Sequence, residues 1–407
     1  MKTTTDLQHW QQLLAETDGW RLGEIVAWLA SDGQRQTDLA SFVDGLFSKL
    51  RDNGLMISRA RMAFLTLHPQ VYVRGCTWEP HRGAQVYERG HAIVESDSFR
   101  GSPVEYVIEQ RKSYRRRLAE LVPDEDHGVL FEFAADGGTD YFAAPAIFSD
   151  GEVGALLALV TQSEAGFSDA DLQRLEVLVQ FIAPVLEVFQ TRHTARTLLN
   201  TYVGPRTGER VLKGLIRRGD SETIKAALWF SDLRDFTLHT ETLPLESLMS
   251  LLNSYFELVA AAVTADGGEI LRFIGDAMLI VFPLDGSVAE ADACMAALEA
   301  ARDATNSLAT VNHRRRRGGA PPIEFGVGLH IGEVIYGNVG APDRLDFTVL
   351  GAAVNRTARV ESLTKTVGSS VLMTAEFAEY ISETTRSYGV HAMKGVAEPV
   401  EVFGLNE

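Results

Sequence analysis

Two aspartates stand where metal-assisted phosphate chemistry is possible. Asp232 follows the short apolar run Ala226–Phe230, whose Trp and Phe suit a buried strand. Asp276 follows a glycine in a tight turn between two further runs, Glu269–Arg272 and Ala277–Phe282, the pattern of a hairpin. Carboxylates at neighbouring strand ends share hard divalent cations, which prefer oxygen ligands. Two such ions side by side activate an attacking oxygen and stabilise a phosphate leaving group. Taken singly, each Asp is most simply a turn residue or a helix cap. The combination, continued downstream by Thr348, Asn355, Arg359 and Lys394, asks for more than that.

The elements around these residues alternate between strand and helix. Leu245 to Ala265 reads as an amphipathic helix ended by Asp266-Gly267-Gly268. Ala289–Ala309 is an Ala-rich helix, and the run Arg314–Arg317 before two glycines reads as a solvated loop. Phe325–His330 and Val334–Val339 are expected to form a hairpin, followed by a strand at Phe347–Leu350 and a helix at Ala353–Lys365. Val371–Thr374 is a further strand, and Lys394 is expected on a loop before the last one. Asn355 and Arg359 lie four apart on one helix and so share a face. The pattern as a whole is α+β.

FSDLRDFT, RFIGDAMLIVF and DFTVLGAAVNRTARVE resemble the three signature blocks of the class III nucleotidyl cyclases, the adenylate and guanylate cyclase family. The resemblance covers about residues 224–405, in the family's order and spacing. It implies a palm-like, ferredoxin-like catalytic domain over residues 221–407. It further implies attack of a nucleoside triphosphate's 3′-hydroxyl on its own α-phosphorus with release of pyrophosphate. By the same resemblance Asp232, Asp276 and the carbonyl of Leu233 hold two divalent cations, Mg²⁺ or Mn²⁺. Asn355 orients the ribose and Arg359 stabilises the phosphoryl transition state. Lys394 and the backbone amides of Leu233, Arg234, Asp235 and Phe236 take the terminal phosphates. Because the family divides these roles between subunits, a homodimer is implied.

The base pocket departs from the usual pattern. Adenylate cyclases of this family usually have Lys where Arg272 stands. Thr348 at the partner position is typical of the subclass that includes bicarbonate-responsive enzymes. Arg satisfies the adenine N1 acceptor, and the Thr hydroxyl accepts from the N6 amino group. Neither residue supplies the carboxylate that guanine's donors want, so ATP is favoured, with GTP or a pyrimidine triphosphate as alternatives. A catalytically silent nucleotide-binding module is the rival from another class. The stretch GGEIL lacks the acidic pair of the diguanylate cyclase signature and is set aside.

With 407 residues the chain is long enough for two cores. Its net charge of −17 argues against a general nucleic-acid or anionic-membrane binder. The N-terminus lacks the basic region and apolar core of a signal peptide. No transmembrane segment is expected, Val153–Val160 being the most apolar run noted. Cys76 and Cys294, in different expected domains, fit a reduced cytoplasmic setting.

Residues 1–55 read as short amphipathic helices. Residues 56–170 resemble a GAF-type α/β sensory domain, chiefly over Tyr141–Val185, with an unknown small-molecule or protein regulator expected there. Ala60–Leu67, Val71–Trp78, Asp140–Phe148 and Val153–Thr161 read as strands, and Arg111–Leu121 as a basic helix. His68, His81 and His91 are scattered and point to no metal site. Residues 171–220 form a helical linker. Its heptad-like apolar spacing suits either a seam between protomers or packing on its own domain.

Overall fold

The computed structural model describes residues 4–284, 288–395 and 398–405, and for residues 4–7 the backbone only. The chain divides into two compact units, one up to Leu198 and one from Leu199 onward.

The first unit begins with three helices, α1 (Thr4–Ala15), α2 (Leu22–Ala30) and α3 (Leu39–Asp52). A sheet follows, made of β1 (Arg59–Leu65), β2 (Val73–Glu79), β3 (Gly83–Arg89), β4 (Tyr114–Arg117), β5 (Asp140–Ile147) and β6 (Val153–Thr161). Between its strands lie α4 (Pro103–Gln110) and α5 (Gly128–Ala135), and the long helix α6 (Asp169–Val203) follows it. The strand order is β3-β2-β1-β6-β5-β4, with every neighbouring pair antiparallel.

Strand alternation sends residues to two cores. Met62, Phe64, Phe142, Leu157 and Leu159 pack with α1–α3 and α6. Ala63, Tyr141, Ala143, Leu156 and Ala158 pack on the other face with Val107 of α4 and Leu130 of α5. Ser168 caps α6, its hydroxyl accepting from the Asp171 amide at 3.1 Å.

The basic segment Arg111–Leu121 is not a helix but contains strand β4, a correction with a clear cause. Arg115 and Arg117 both reach the fully buried Asp140 carboxylate, whereas Arg116 pairs with Asp126 at 2.6 Å. Alternate arginines are thus used on opposite sides, as only a strand allows.

The second unit opens with α7 (Pro205–Leu212) and β7 (Ser221–Leu233), then α8 (Phe236–Thr242) and α9 (Leu245–Ala265). Next come β8 (Glu269–Ile274), β9 (Ala277–Pro283), α10 (Glu290–Arg317), β10 (Phe325–Ala341), β11 (Arg344–Leu350) and α11 (Ala352–Val367). The remaining elements are β12 (Val371–Thr374), α12 (Ala375–Ala378), β13 (Thr385–His391) and β14 (Val400–Leu405). The sheet runs β13-β14-β12-β10-β7-β9-β8, with β11 paired to β10 beside this path. Among the described residues, only β10 and β12 run parallel. This is a mixed α+β domain.

Trp229, Ile280, Val327 and Leu329 pack under α9 and α10 on one face of the sheet. Helix α9 is long and apolar enough to cross a membrane by length and composition. Here its Leu251, Tyr255, Val259 and Val263 side packs into that core.

Two expectations fail in this unit. The stretch expected as a hairpin is one continuous strand, β10, in register with β7 from Phe325↔Leu233 to Gly337↔Ser221. Gly332 is not a turn residue; a Cβ there would stand 2.8 Å from Cβ of Ala353 on α11. The arginine run is the last turn of α10 rather than a loop. Arg315 is buried and donates to the Pro321 carbonyl at 2.8 Å and to Ser254 Oγ at 3.0 Å. The cations around it suit a helix C-terminus.

Candidate active site

Strand β7 lies in the middle of the sheet, hydrogen-bonded to β10 on one side and β9 on the other. Its residues alternate between two buried faces, Ala227 and Trp229 to one, Ala226 and Leu228 to the other. Asp232, its penultimate residue, is half-buried. Asp276 sits in the two-residue turn between β8 and β9, closed by the pair Ile274↔Ala277. Gly275 takes φ +65° there, a conformation a side chain would strain. Because β9 pairs with β7 up to Ser231↔Met278, this turn comes to the end of β7.

The turn thus sets the Asp276 carboxyl beside Asp232. Burial, interaction with the Asp232 carboxyl and the Asp232 charge push the Asp276 carboxyl up to about 7. Two such carboxyls suit a hard divalent ion, to which they would give up this proton. Among the described residues no group of three or more His, Cys, Asp or Glu is gathered for a metal. Any such ion would therefore complete its shell with the Leu233 carbonyl, water and phosphate. Lys365 Nζ lies 4.0 Å from Asp232 Oδ2.

Arg234 needs correction as a phosphate contact. Its amide already donates to the Glu324 carbonyl at 2.8 Å. Its side chain reaches Glu361 and Thr364. Asp235 follows in the left-handed region (φ +55°) and leads into α8 at Phe236. Burial and the Asp232 charge push Glu361 up to about 7, against the opposing pull of Arg234.

Arg272, on β8, is exposed and paired with Asp346 on β11 at 2.8 Å. Thr348, two residues further along β11, is buried. The two residues expected to read the base therefore sit on adjoining parts of this chain. Asn355 and Arg359 lie one turn apart on α11, both exposed, and Lys394 is exposed on the turn between β13 and β14. Among the described residues no hydrogen bond or ion pair joins the aspartate pair to Arg272, Asn355, Arg359 or Lys394. Sequence reasoning missed Lys365, Glu361 and Asp346; the last two lie inside the third block quoted above, and no spacing rule singled them out.

The family described as adenylate and guanylate cyclase catalytic domain matches residues 220–406. The second unit is a nucleotidyl cyclase catalytic domain. The chain is 31% identical over 191 residues to the terminal-differentiation-specific adenylate cyclase of Dictyostelium discoideum, covering 46% of this chain and 9% of that protein. It is 32% identical over 167 residues to an adenylate cyclase of Anabaena cylindrica, covering 41% of this chain and 33% of that protein. A crystal structure of the adenylyl cyclase CyaB from P. aeruginosa is 28% identical and covers 46% of this chain and 96% of that one, with a TM-score of 0.43. The aligned part thus spans a third or less of these two curated relatives.

Proposed function

We propose that the chain is a homodimeric adenylate cyclase that converts ATP to 3′,5′-cyclic AMP and pyrophosphate, under control of its first unit. The observation that carries this reading is the Asp232–Asp276 pair, two carboxyls brought side by side at a strand end and a hairpin tip by the pairing of β7, β8 and β9. Mg²⁺ or Mn²⁺ bound there by Asp232, Asp276 and the Leu233 carbonyl supplies charge neutralisation at the phosphates and activation of the 3′-hydroxyl. Arg272 and Thr348 hold the adenine, and Asn355 orients the ribose. Arg359 donates to the oxygens that gain charge as the α-phosphorus is attacked. Lys394 and the amides of Asp235 and Phe236 hold the terminal phosphates.

Dimerisation supplies what one protomer leaves incomplete. Asn355 and Arg359 face solvent instead of the aspartates of their own chain. Leu238, Leu245, Met249, Phe273 and Ile274 are exposed apolar residues on α8, α9 and β8. Such a surface suits burial against a second copy.

The first unit suits a GAF-type sensor, with an antiparallel sheet covered on both faces. Within it, a small apolar cavity of about 50 Å³ is lined by Phe64, Ile93, Phe99, Val104 and Leu156 with Arg61 and Arg89. The two buried, unpaired cysteines fit the cytoplasm.

One observation favours a second reading. Asp346 places a carboxylate beside Arg272, and guanine's N1–H and N2–H₂ want such an acceptor. GTP is therefore the alternative substrate. The adenylate reading is tested by incubating the purified chain with ATP and Mn²⁺. Cyclic AMP and pyrophosphate in equal amounts, both abolished by Asp276→Ala, support it. Intact ATP under every condition contradicts it.

A further inference from the structure

Arg234 stands two residues beyond Asp232, at the start of the turn that leaves β7. Its guanidinium reaches helix α11. Nη1 lies 3.6 Å from Glu361 Oε1, and Nη2 donates to the Thr364 hydroxyl. That hydroxyl in turn donates to the Glu361 carbonyl at 2.5 Å. Glu361 and Thr364 are buried, and only 16% of the Arg234 side chain is exposed.

The space for this contact is made by a glycine. Gly326 on β10 is the register partner of Asp232 itself. A Cβ there would lie 2.3 Å from Thr364 Oγ1, 2.5 Å from Arg234 Nη2 and 2.7 Å from Glu361 Oε1. Two residues on, a Cβ at Gly328 would lie 2.4 Å from the Glu361 nitrogen. Two bare positions on β10 thus let α11 lie directly against the strand and let the ion pair close. A pair buried this deeply carries a desolvation cost that offsets much of its Coulomb gain. Its contribution is a fixed geometry more than net stability.

We propose that Arg234 and Glu361 are positioning residues of the cyclase site. Their contact fixes the end of β7, with Asp232 and the Leu233 carbonyl, against the helix that carries Asn355 and Arg359. This rests on the reading of the site given above. In a homodimer with shared sites, the contact ties the aspartate half of one site to the helix that serves the other.

The test uses the full chain and the variants Arg234→Gln and Glu361→Gln. Three quantities are read separately. These are Mn²⁺ affinity from the electron paramagnetic resonance signal of the free ion, kcat and KM for ATP, and the thermal unfolding midpoint. Each variant is expected to weaken Mn²⁺ binding and to lower kcat roughly tenfold, with KM changed less than about twofold. The double variant Arg234→Glu/Glu361→Arg is expected to recover part of the loss. Unchanged Mn²⁺ affinity and unchanged kcat per folded molecule, with only the midpoint lowered, would overturn the proposal. If the wild type makes no cyclic nucleotide, the functional reading fails instead. The Mn²⁺ titration then still decides the positioning role, weakened binding supporting it and equal binding overturning it.

Discussion

The Arg272 guanidinium lies 2.8 Å from Oδ2 of Asp346, across from β8 to β11 and two residues from Thr348. The residue expected to read the base is therefore held by a carboxylate of its own protomer. Both side chains are close to half exposed, so the bond is cheaply broken by a ligand. If the base is adenine, Asp346→Asn releases Arg272 and keeps or raises kcat/KM for ATP, and Arg272→Lys does the same. A fall for ATP with a gain for another triphosphate in the Arg272→Lys variant would sink the adenine assignment. Loss of GTP turnover confined to Asp346→Asn would identify Asp346 as the guanine acceptor.

Acid should weaken any cation binding at the Asp232–Asp276 pair. Asp276 is raised to about 7 by burial, interaction with the Asp232 carboxyl and the Asp232 charge. Below that value it keeps the proton that a cation must displace. Mn²⁺ affinity should therefore rise as pH increases through about 7, and a flat Mn²⁺ titration between pH 6 and 8 (about one unit either side of that value) would contradict this.

Stability should follow the opposite course. Glu361 is raised from 4.5 to about 7 in the fold. Between those values the folded state holds a proton that the unfolded state has released, so stability falls as pH rises through this window. Glu361→Gln should flatten that part of the curve in denaturant titrations followed at several pH values. An unaltered slope would show that other groups set it.

Two inactive variants should complement each other if the sites are shared. Asp276→Ala removes one half of a site and Arg359→Ala the other. Co-expressed, they form mixed dimers with one intact site. Activity should return in the mixture and be absent from each variant alone. No recovery, with mixed dimers verified by mass, would contradict the shared arrangement.

Helix α7 should depend on a residue far from it in sequence. The buried Glu269 carboxylate accepts the amides of Arg206 and Thr207 at 3.1 and 3.2 Å. Gly204 at its N-cap position offers no side chain to do so. Tyr336 and Thr207 share a hydroxyl hydrogen bond of 2.9 Å beside it. Glu269→Ala should cost about 2 kcal/mol by leaving buried donors unpaired, read as a lowered unfolding midpoint. No shift would mean that α7 contributes little to the stability of the domain.

Much of the scaffold was legible because local patterns agreed with the fold. The apolar face of α9 and the composition of β12 set boundaries that the structure reproduces. The glycine before Asp276 placed that carboxyl in a hairpin turn, and β9's pairing with β7 brings it to Asp232. Long-range packing was not legible. Gly332 reads as a turn because the reason for it, the nearness of Ala353, lies outside its own segment. Arg315 reads as solvated because its acceptors come from α9 and from the loop after α10. The Arg234 amide reads as free for phosphate until the Glu324 carbonyl, just before β10, is seen to accept from it.

The most direct test of the account is a four-nucleotide assay. The full chain is incubated with ATP, GTP, CTP or UTP and Mn²⁺ or Mg²⁺, and cyclic products are identified by mass spectrometry. Cyclic AMP is the expected main product, and it should be lost in Asp276→Ala. No cyclic product from any nucleotide, or cyclic AMP that persists in Asp276→Ala, would contradict it.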